Sequence, residues 1–111
     1  MHQKKPFSVV VTIPAFNEAA TVGQVIKSIP RDIPGVKDID VVVVNDGSTD
    51  DTAAAAAEAG AKVVSFSHNR GLGATFGQGL QTALGLGADI IVNIDLNVVS
   101  ADFPQIKLEN A

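Results

Sequence analysis

The sequence contains no cysteine, tryptophan or tyrosine, and its 8 basic residues are outnumbered by 12 acidic ones. Without cysteine, neither a disulfide framework nor a thiolate metal site can form. The net charge of −4 and the lack of a lysine and arginine cluster argue against a nucleic-acid surface, because phosphate binding needs clustered positive charge. Long apolar runs are also missing. The run after Lys4 and Lys5 is too short for a signal peptide or a membrane span.

The remaining composition is that of one globular domain. The chain has 111 residues, of which 46% are hydrophobic, enough to bury a core. We therefore predict a single domain over residues 1–111, and a cytoplasmic or membrane-peripheral location. This length is small for an enzyme that must hold two substrates.

Apolar, β-branched segments alternate with helical patterns along the chain. The predicted strands cover residues 7–13, 39–44, 62–66 and 89–94. Near-continuous apolar runs are typical of strands that helices cover on both faces. The order βαβαβαβ therefore predicts an α/β fold, an open sheet of mainly parallel strands with right-handed crossovers.

Three helices are predicted between these strands. The first covers residues 21–29, where Thr21 and Gln24 have the spacing of a capping box, and the second covers residues 49–59, with Ser48 or Thr49 as its cap. A third follows Gly73. Its predicted inward-facing residues are Phe76, Leu80, Ala83 and Leu84.

Polar or glycine-rich motifs follow all four predicted strands. They are P-A-F-N-E at residues 14–18, N-D-G-S-T-D at 45–50, N-R-G-L-G at 69–73 and D-L-N at 95–97. Ligands of open α/β sheets bind in the crevice outside the carboxyl ends of the strands. The recurrence therefore favours a small-molecule site at this edge.

The first two motifs supply carboxylates. Glu18 can accept hydrogen bonds from ribose hydroxyls or a base edge, although Asn17 and Glu18 are also typical of a helix start. In the second motif Gly47 allows a tight turn and its hydroxyl residues can cap a helix, which leaves Asp46 as a candidate for recognising a base or ribose.

The third and fourth motifs supply a basic residue and a cation-binding pattern. Arg70 can meet a phosphate, and Gly71 and Gly73 can let the backbone approach a ligand. Asp95 and Asn97 can share a divalent cation that holds a diphosphate, or they can be an isolated acid and a turn residue.

The four motifs together resemble the N-terminal half of an inverting family 2 glycosyltransferase with the GT-A fold. Among these enzymes the sequence is most similar to the branch that transfers mannose or glucose to polyprenyl phosphate. The resemblance covers residues 7–97. It is carried by the runs V-V-V-T-I-P-A-F-N-E, V-V-V-V-N-D-G-S-T-D-D-T, H-N-R-G-L-G-A-T-F-G-Q-G and G-A-D-I-I-V-N-I-D.

The resemblance implies a role for each motif. The first loop would contact the nucleoside, with Glu18 near the ribose, and Asp46 would recognise the base. Asp95 and Asn97 would be the two ends of a D-x-D motif that binds Mg²⁺ or Mn²⁺ on the diphosphate of a UDP- or GDP-linked sugar. The implied nucleotide-binding residues are Pro14, Ala15, Asn17, Glu18, Asp46, Arg70, Gly71 and Gly73.

The sequence departs from the family pattern in two respects. Asn97 replaces the second acid of the metal motif, which should weaken divalent-ion binding. Enzymes of this type also need a second half with the acceptor site, for a polyprenyl phosphate or a saccharide, and a carboxylate base. Asp102 and Glu109 lie in no recognisable catalytic motif, so no catalytic residue is assigned.

Two alternatives to a glycosyltransferase domain use the same motifs. A truncated or degenerate nucleotide-binding domain without catalysis would leave a sheet edge exposed, through which copies of the chain could associate. A receiver-type signalling domain also uses acidic strand ends. It is disfavoured because no lysine follows a later strand to complete its site.

Overall fold

The computed structural model describes residues 6–96, which form strands and helices in strict alternation. The elements are β1 (Phe7–Ala15), α1 (Val22–Ser28), β2 (Val36–Asp46), α2 (Thr52–Glu58), β3 (Lys62–Phe66), α3 (Leu72–Gly85) and β4 (Ile90–Asn93). The predicted α/β alternation is confirmed. Over these same residues, no helix is long and apolar enough to cross a membrane.

The strands of this part of the chain form one parallel sheet in the order β3-β2-β1-β4. After β3 the chain crosses back over the sheet to place β4 on the far side of β1. The order therefore switches direction between β1 and β4, and open α/β sheets bind ligands at such a switch.

Both faces of the sheet are covered. Alternate residues of β1 point to opposite faces, so that Val11 and Ile13 pack with α1 and α2, whereas Val10 packs with Ala83 of α3. This two-sided burial is the physical reason for the near-continuous apolar runs of β1 and β2.

β1 extends past its predicted end and includes Pro14. The carbonyl of Thr12 faces β4 and accepts the N–H of Ile94 at 2.9 Å, so Pro14, two residues further on, faces the same side. Pairing with β4 stops at Thr12, opposite Asn93. Proline has no N–H to donate, but no hydrogen bond between β1 and β4 is lost at Pro14, because that pairing has already ended. Pairing with β2 continues to Ala15.

The inward face of α3 agrees with the prediction at Ala83 and differs from it at Phe76 and Leu84. Thr75, Gly79 and Ala83 are buried against the sheet, whereas Phe76 and Leu84 are 46% and 64% exposed. At Gly79 an added Cβ would lie only 3.2 Å from Cβ of Thr12. The helix therefore packs through small residues, whereas Phe76 and Leu84 lie outside that contact.

The predicted caps of α1 and α2 are also wrong. Thr21 makes no side-chain cap; its hydroxyl instead donates to Oε1 of Glu18 at 3.2 Å. α2 begins at Thr52 because the carboxylate of Asp50 accepts the backbone N–H of Thr52 at 3.0 Å, a local turn that delays the helix.

The predicted exposed edge lies at β4, where Ile90 and Val92 are 43% and 42% exposed. Association of copies through this edge stays a prediction.

Gly47 provides a test of the packing between the loops that follow β2 and β3. It has a φ of 71°, and an added Cβ would lie 2.5 Å from the backbone nitrogen of Asn69. We expect Gly47→Ala to lower the free energy of unfolding by about 3 kcal/mol or more, because both conformation and space forbid the methyl group.

The matched control is Gly77→Ala, inside α3, where an added Cβ meets nothing within 4 Å. This variant should be stabilised by up to about 1 kcal/mol, since alanine is the better helix former. Urea denaturation measures both. Equal stability of the two variants would contradict the packing described here.

Candidate functional site

A cleft of about 370 Å³ opens at the carboxyl edge of the sheet, where the strand order switches between β1 and β4. Its walls are mainly apolar, with two polar side chains near the end of β4. The lining residues are Pro14, Leu72, Gly73, Phe76, Asn93 and Asp95. Of the residues singled out in the sequence, Pro14, Gly73 and Asp95 therefore meet at one cleft.

Asp46 is buried at the end of β2 and holds the loop that follows β3. Its Oδ1 accepts the backbone N–H of Arg70 at 2.7 Å, and its Oδ2 accepts that of Gly71 at 3.0 Å. Its own carbonyl accepts Nδ2 of Asn69 at 3.4 Å. The carboxylate thus has a structural role that the sequence did not suggest, and recognition of a base by Asp46 stays a prediction.

Asn17 joins the loop after β1 to the loop after β2. Its Oδ1 accepts the backbone N–H of Thr49 at 2.8 Å and the Thr49 hydroxyl at 3.3 Å, and its own N–H donates to Oγ of Ser48 at 2.9 Å. Asn17 has a φ of 53°, a left-handed conformation that asparagine tolerates better than most residues. Its side chain therefore bridges two loops instead of capping α1.

A second bridge between the same loops centres on the buried Thr52. Its hydroxyl accepts the N–H of Glu18 at 2.8 Å and donates to Oδ1 of Asp50. Oδ2 of Asp50 in turn accepts the N–H of Ala19 at 3.2 Å. These hydrogen bonds, the Thr52 hydroxyl foremost, lower the pKa of Asp50 below its ordinary value.

Asn45 and Thr52 are structural residues that the sequence analysis missed. The buried Asn45 accepts the N–H of Ser48 at 3.2 Å and donates to Oγ of Ser65 at 3.1 Å, which ties the end of β2 to β3. The sequence signal for a structural role of Asn45 was its position directly after the run V-V-V-V. Nothing in the local sequence distinguishes Thr52 from its polar neighbours.

Arg70 is exposed and does not line the cleft. Its guanidinium carbon lies 4.5 Å from the centroid of the Phe66 ring, a cation–π arrangement. The predicted contact of Arg70 with a phosphate stays a prediction.

Asp95 and Asn97 are the two predicted metal ligands. The structure describes Asp95, whereas Asn97 lies outside the described residues. Within residues 6–96, no group of three or more acidic or histidine side chains could hold a metal ion. Mg²⁺ is usually bound by one or two carboxylates together with substrate phosphates and water. A carboxylate at the polar end of the cleft fits such a site, in which the substrate supplies most of the ligands.

The Asn17 bridge can be tested with two substitutions. Asn17→Gly removes the side-chain hydrogen bonds but permits the left-handed conformation, and we expect it to cost about 1 kcal/mol of stability. Asn17→Ala also imposes the conformational cost, about 1 kcal/mol more. Chemical denaturation measures both, and wild-type stability of either variant would refute the bridge.

Asp50 should make stability depend on acidic pH. Because its pKa is lowered in the folded state, its contribution is complete above the ordinary value of 3.8 and disappears as the pH falls through the folded value. We expect Asp50→Asn to flatten the fall in Tm between about pH 5 and pH 2. The control is Asp51→Asn, which makes the same charge change one residue along. Identical acid profiles of Asp50→Asn and wild type would contradict the assignment.

Comparisons with known proteins support a specific family. Residues 10–99 match the family model described as Glycosyl transferase family 2. An uncharacterized protein of Methanocaldococcus jannaschii, MJ1222, is 40% identical over 85 residues, which are 77% of this chain and 33% of that protein. Glucosyl-3-phosphoglycerate synthase of Mycolicibacterium smegmatis is 47% identical over 58 residues, 52% of this chain and 19% of the enzyme.

Solved structures agree with this match. Glucosyl-3-phosphoglycerate synthase of Mycobacterium tuberculosis, in complex with Mn²⁺, UDP and glucosyl-3-phosphoglycerate, superimposes with a TM-score of 0.63 at 33% identity over 80% of this chain and 33% of the enzyme. The same enzyme has been solved with Mn²⁺, UDP-glucose and phosphoglyceric acid. The chain thus spans a third or less of the length of these relatives. With a family match over most of its residues and a parallel sheet like that of the mycobacterial enzyme, the chain belongs to glycosyl transferase family 2.

Proposed function

We propose that residues 1–111 form one domain that binds the nucleotide-sugar donor of a glycosyltransferase. The observation that carries this proposal is the cleft at the strand-order switch, with Pro14, Gly73 and Asp95 in its walls. An apolar wall suits the flat faces of a base or a sugar, whereas a carboxylate at the other end suits a cation on a diphosphate.

Each loop has a proposed part in this site. The loop of Pro14, Ala15, Asn17 and Glu18 lies beside the nucleoside, with Glu18 near the ribose. Across the cleft, Gly71 and Gly73 lie beside the nucleotide, Arg70 contacts a phosphate from outside the cleft wall, and Asp46 holds this segment by its two backbone hydrogen bonds. The bridges that join these loops favour this proposal, because they hold the binding surfaces in place before a ligand arrives.

Asp95 and Asn97 are the proposed holders of Mg²⁺ or Mn²⁺. When bound, the cation would stabilise negative charge on the departing diphosphate. Asp95 lines the cleft, which supports its part in this proposal, and Asn97 would contribute a neutral oxygen. Because the protein would supply only one charged ligand, the affinity for the metal ion would depend strongly on the phosphates of the nucleotide. We therefore expect the metal ion and the nucleotide to bind together.

The proposed donor is UDP-glucose, because the mycobacterial relative has been solved with UDP-glucose and Mn²⁺. A GDP-linked sugar is the alternative. The proposed reaction of the whole enzyme is inverting transfer to an acceptor that carries a phosphate. A phosphoglycerate is favoured by the relatives, whereas the resemblance of the four motifs together favours a polyprenyl phosphate.

Isothermal titration calorimetry tests donor binding. We expect the chain to bind UDP and UDP-glucose, with affinity raised about tenfold by Mn²⁺, a gain of about 1.4 kcal/mol. Asp95→Asn should remove most of this Mn²⁺ effect and leave metal-free binding nearly unchanged. The control is Asp38→Asn. Asp38 lies near the start of β2, at the amino ends of the strands and therefore away from the cleft.

The result that would overturn the proposal is the absence of binding by the folded wild type to UDP, GDP and their sugar conjugates at millimolar concentration. A Mn²⁺ effect that survives in Asp95→Asn would overturn only the assignment of the metal site.

A second candidate function is nucleotide binding without catalysis, which is favoured by Asn97 in the place of the second metal acid. Incubation of the product of the complete gene with radiolabelled UDP-glucose and the two acceptors separates the candidates. Labelled product supports a transferase, whereas donor binding without any product supports the second candidate.

A further inference from the structure

The side chain of Asn93, the last residue of β4, is held in one orientation where it lines the cleft. Asn93 lies opposite Thr12 in the parallel pairing of β4 with β1, so their side chains are neighbours on one face of the sheet. The Thr12 hydroxyl donates to Oδ1 of Asn93 at 3.0 Å. An exposed asparagine is thus fixed by a threonine that is only 3% exposed.

Thr12 itself has little freedom to move. It belongs to β1, which pairs with a strand on either side, and its carbonyl accepts the N–H of Ile94 at 2.9 Å. Its side chain packs against Gly79 of α3, where an added Cβ would lie 3.2 Å from Cβ of Thr12. A buried hydroxyl needs a hydrogen-bond partner, and Oδ1 of Asn93 provides it. The orientation of the Asn93 amide therefore follows from the packing between β1 and α3.

This orientation leaves the nitrogen of the amide for a ligand. Because Oδ1 is occupied by Thr12, Nδ2 carries its two N–H donors on the other branch of the side chain. Among residues 6–96, the bond to Thr12 is the one hydrogen bond that the Asn93 side chain makes. An amide donor held on the wall of a pocket suits a ligand oxygen that accepts hydrogen bonds.

The surroundings of Nδ2 favour a hydroxyl oxygen of a sugar ring. Asp95 brings a carboxylate, which accepts hydrogen bonds, to the same cleft. A hydroxyl group can accept from an amide and also donate to a carboxylate, whereas the oxygens of an ionised phosphate only accept. The apolar walls include Pro14 and Phe76, whose surfaces suit the C–H face of a sugar ring.

We propose that Asn93 is a sugar-binding residue, whose Nδ2 donates to a hydroxyl oxygen of a sugar ring in the cleft, and that Thr12 is its positioning residue. The inference rests on the proposed function, in which this cleft takes a nucleotide sugar. The ring is either the ribose or the sugar to be transferred. If Asn93 only supplied an acceptor to the buried Thr12, its removal would change stability and leave the affinity for nucleotides unchanged.

The decisive variant is Thr12→Val/Asn93→Ala, because removing both partners leaves no buried hydroxyl without an acceptor. The matched control is Gln78→Ala. Gln78 also carries an amide that bonds to a threonine hydroxyl, with Nε2 donating to Oγ1 of Thr82 at 3.1 Å, but it does not line the cleft. In calorimetry with Mn²⁺ present, we expect the dissociation constant for UDP-glucose to rise about fivefold in the double variant and to stay unchanged in the control.

Two further ligands, UDP and 2′,3′-dideoxy-UDP, identify the ring. If the double variant binds UDP as wild type does, the contact is with the sugar to be transferred. If its affinity for UDP also falls about fivefold but its affinity for 2′,3′-dideoxy-UDP does not, the contact is with the ribose. Should wild type bind GDP instead of UDP, GDP, GDP-mannose and 2′,3′-dideoxy-GDP form the same series.

Two single substitutions test the positioning role of Thr12. Thr12→Val keeps the shape that packs on Gly79 but removes the hydroxyl, whereas Thr12→Ser keeps the hydroxyl. We expect Thr12→Val to raise the dissociation constant for UDP-glucose about fourfold, because the Asn93 amide can then rotate, and Thr12→Ser to change it by less than about twofold. Equal losses in the two variants would overturn the role of Thr12.

A second readout needs only wild type and therefore does not depend on the folding of a variant. Nuclear magnetic resonance with Mg²⁺ in place of the paramagnetic Mn²⁺ should show the side-chain NH₂ signals of Asn93 shifting when UDP-glucose is added. The side-chain NH₂ signals of Gln78 should not shift.

Three results would overturn the sugar contact of Asn93. They are wild-type affinity for UDP-glucose in Thr12→Val/Asn93→Ala, an affinity loss that is as large for 2′,3′-dideoxy-UDP as for UDP, and Asn93 signals that UDP-glucose does not move. Each of them leaves the proposed function intact. If wild type binds no member of either nucleotide series, the proposed function fails together with this inference.

Discussion

The carboxyl edge of the sheet depends on one constraint: backbone N–H groups in its loops must find acceptors, and neighbouring loops supply them. Asn17 accepts from Thr49, Asp50 from Ala19, and Asp46 from Arg70 and Gly71. The hydrogen bonds to Asp46 are partly buried, where a polar group without a partner would be costly, whereas those to Asn17 and Asp50 are exposed. The loops therefore form one connected unit across β1, β2 and β3, and the cleft at the end of β4 opens beside it.

The strands could be predicted because burial on both faces leaves a signal in the sequence itself. β3 has its predicted bounds of Lys62–Phe66, and β1 and β2 differ only in being longer. The predicted inward face of α3 was right at Ala83 and wrong at Phe76 and Leu84, because the deciding contact is between Gly79 and Thr12, which are far apart in the sequence. Hydrophobic periodicity favours large apolar residues, whereas close helix packing here favours the smallest.

The site was predictable in its location but not in its internal connections. Motifs at strand ends lie at the edge where the cleft is found, and Pro14, Gly73 and Asp95 line it. The bridges made by Asn17 and Asp46 could not be foreseen, because a local motif does not reveal which distant peptide it faces. Asn17 and Glu18 look like cap residues in sequence, yet Asn17 bonds to the loop that follows β2 and Glu18 to Thr52 at the start of α2.

The bridge between Asn17 and Thr49 has a consequence for the order of folding. Its partners are 32 residues apart, and Asp46 reaches Arg70 across 24 residues. Contacts of such long range form only after a long loop has closed, and closing that loop costs conformational entropy. Neither set of hydrogen bonds can form in an isolated β-α segment. We therefore expect the chain to become able to bind a ligand late in folding, when β1, β2 and β3 pair. A partly folded chain would then contain the motifs without being able to hold a ligand.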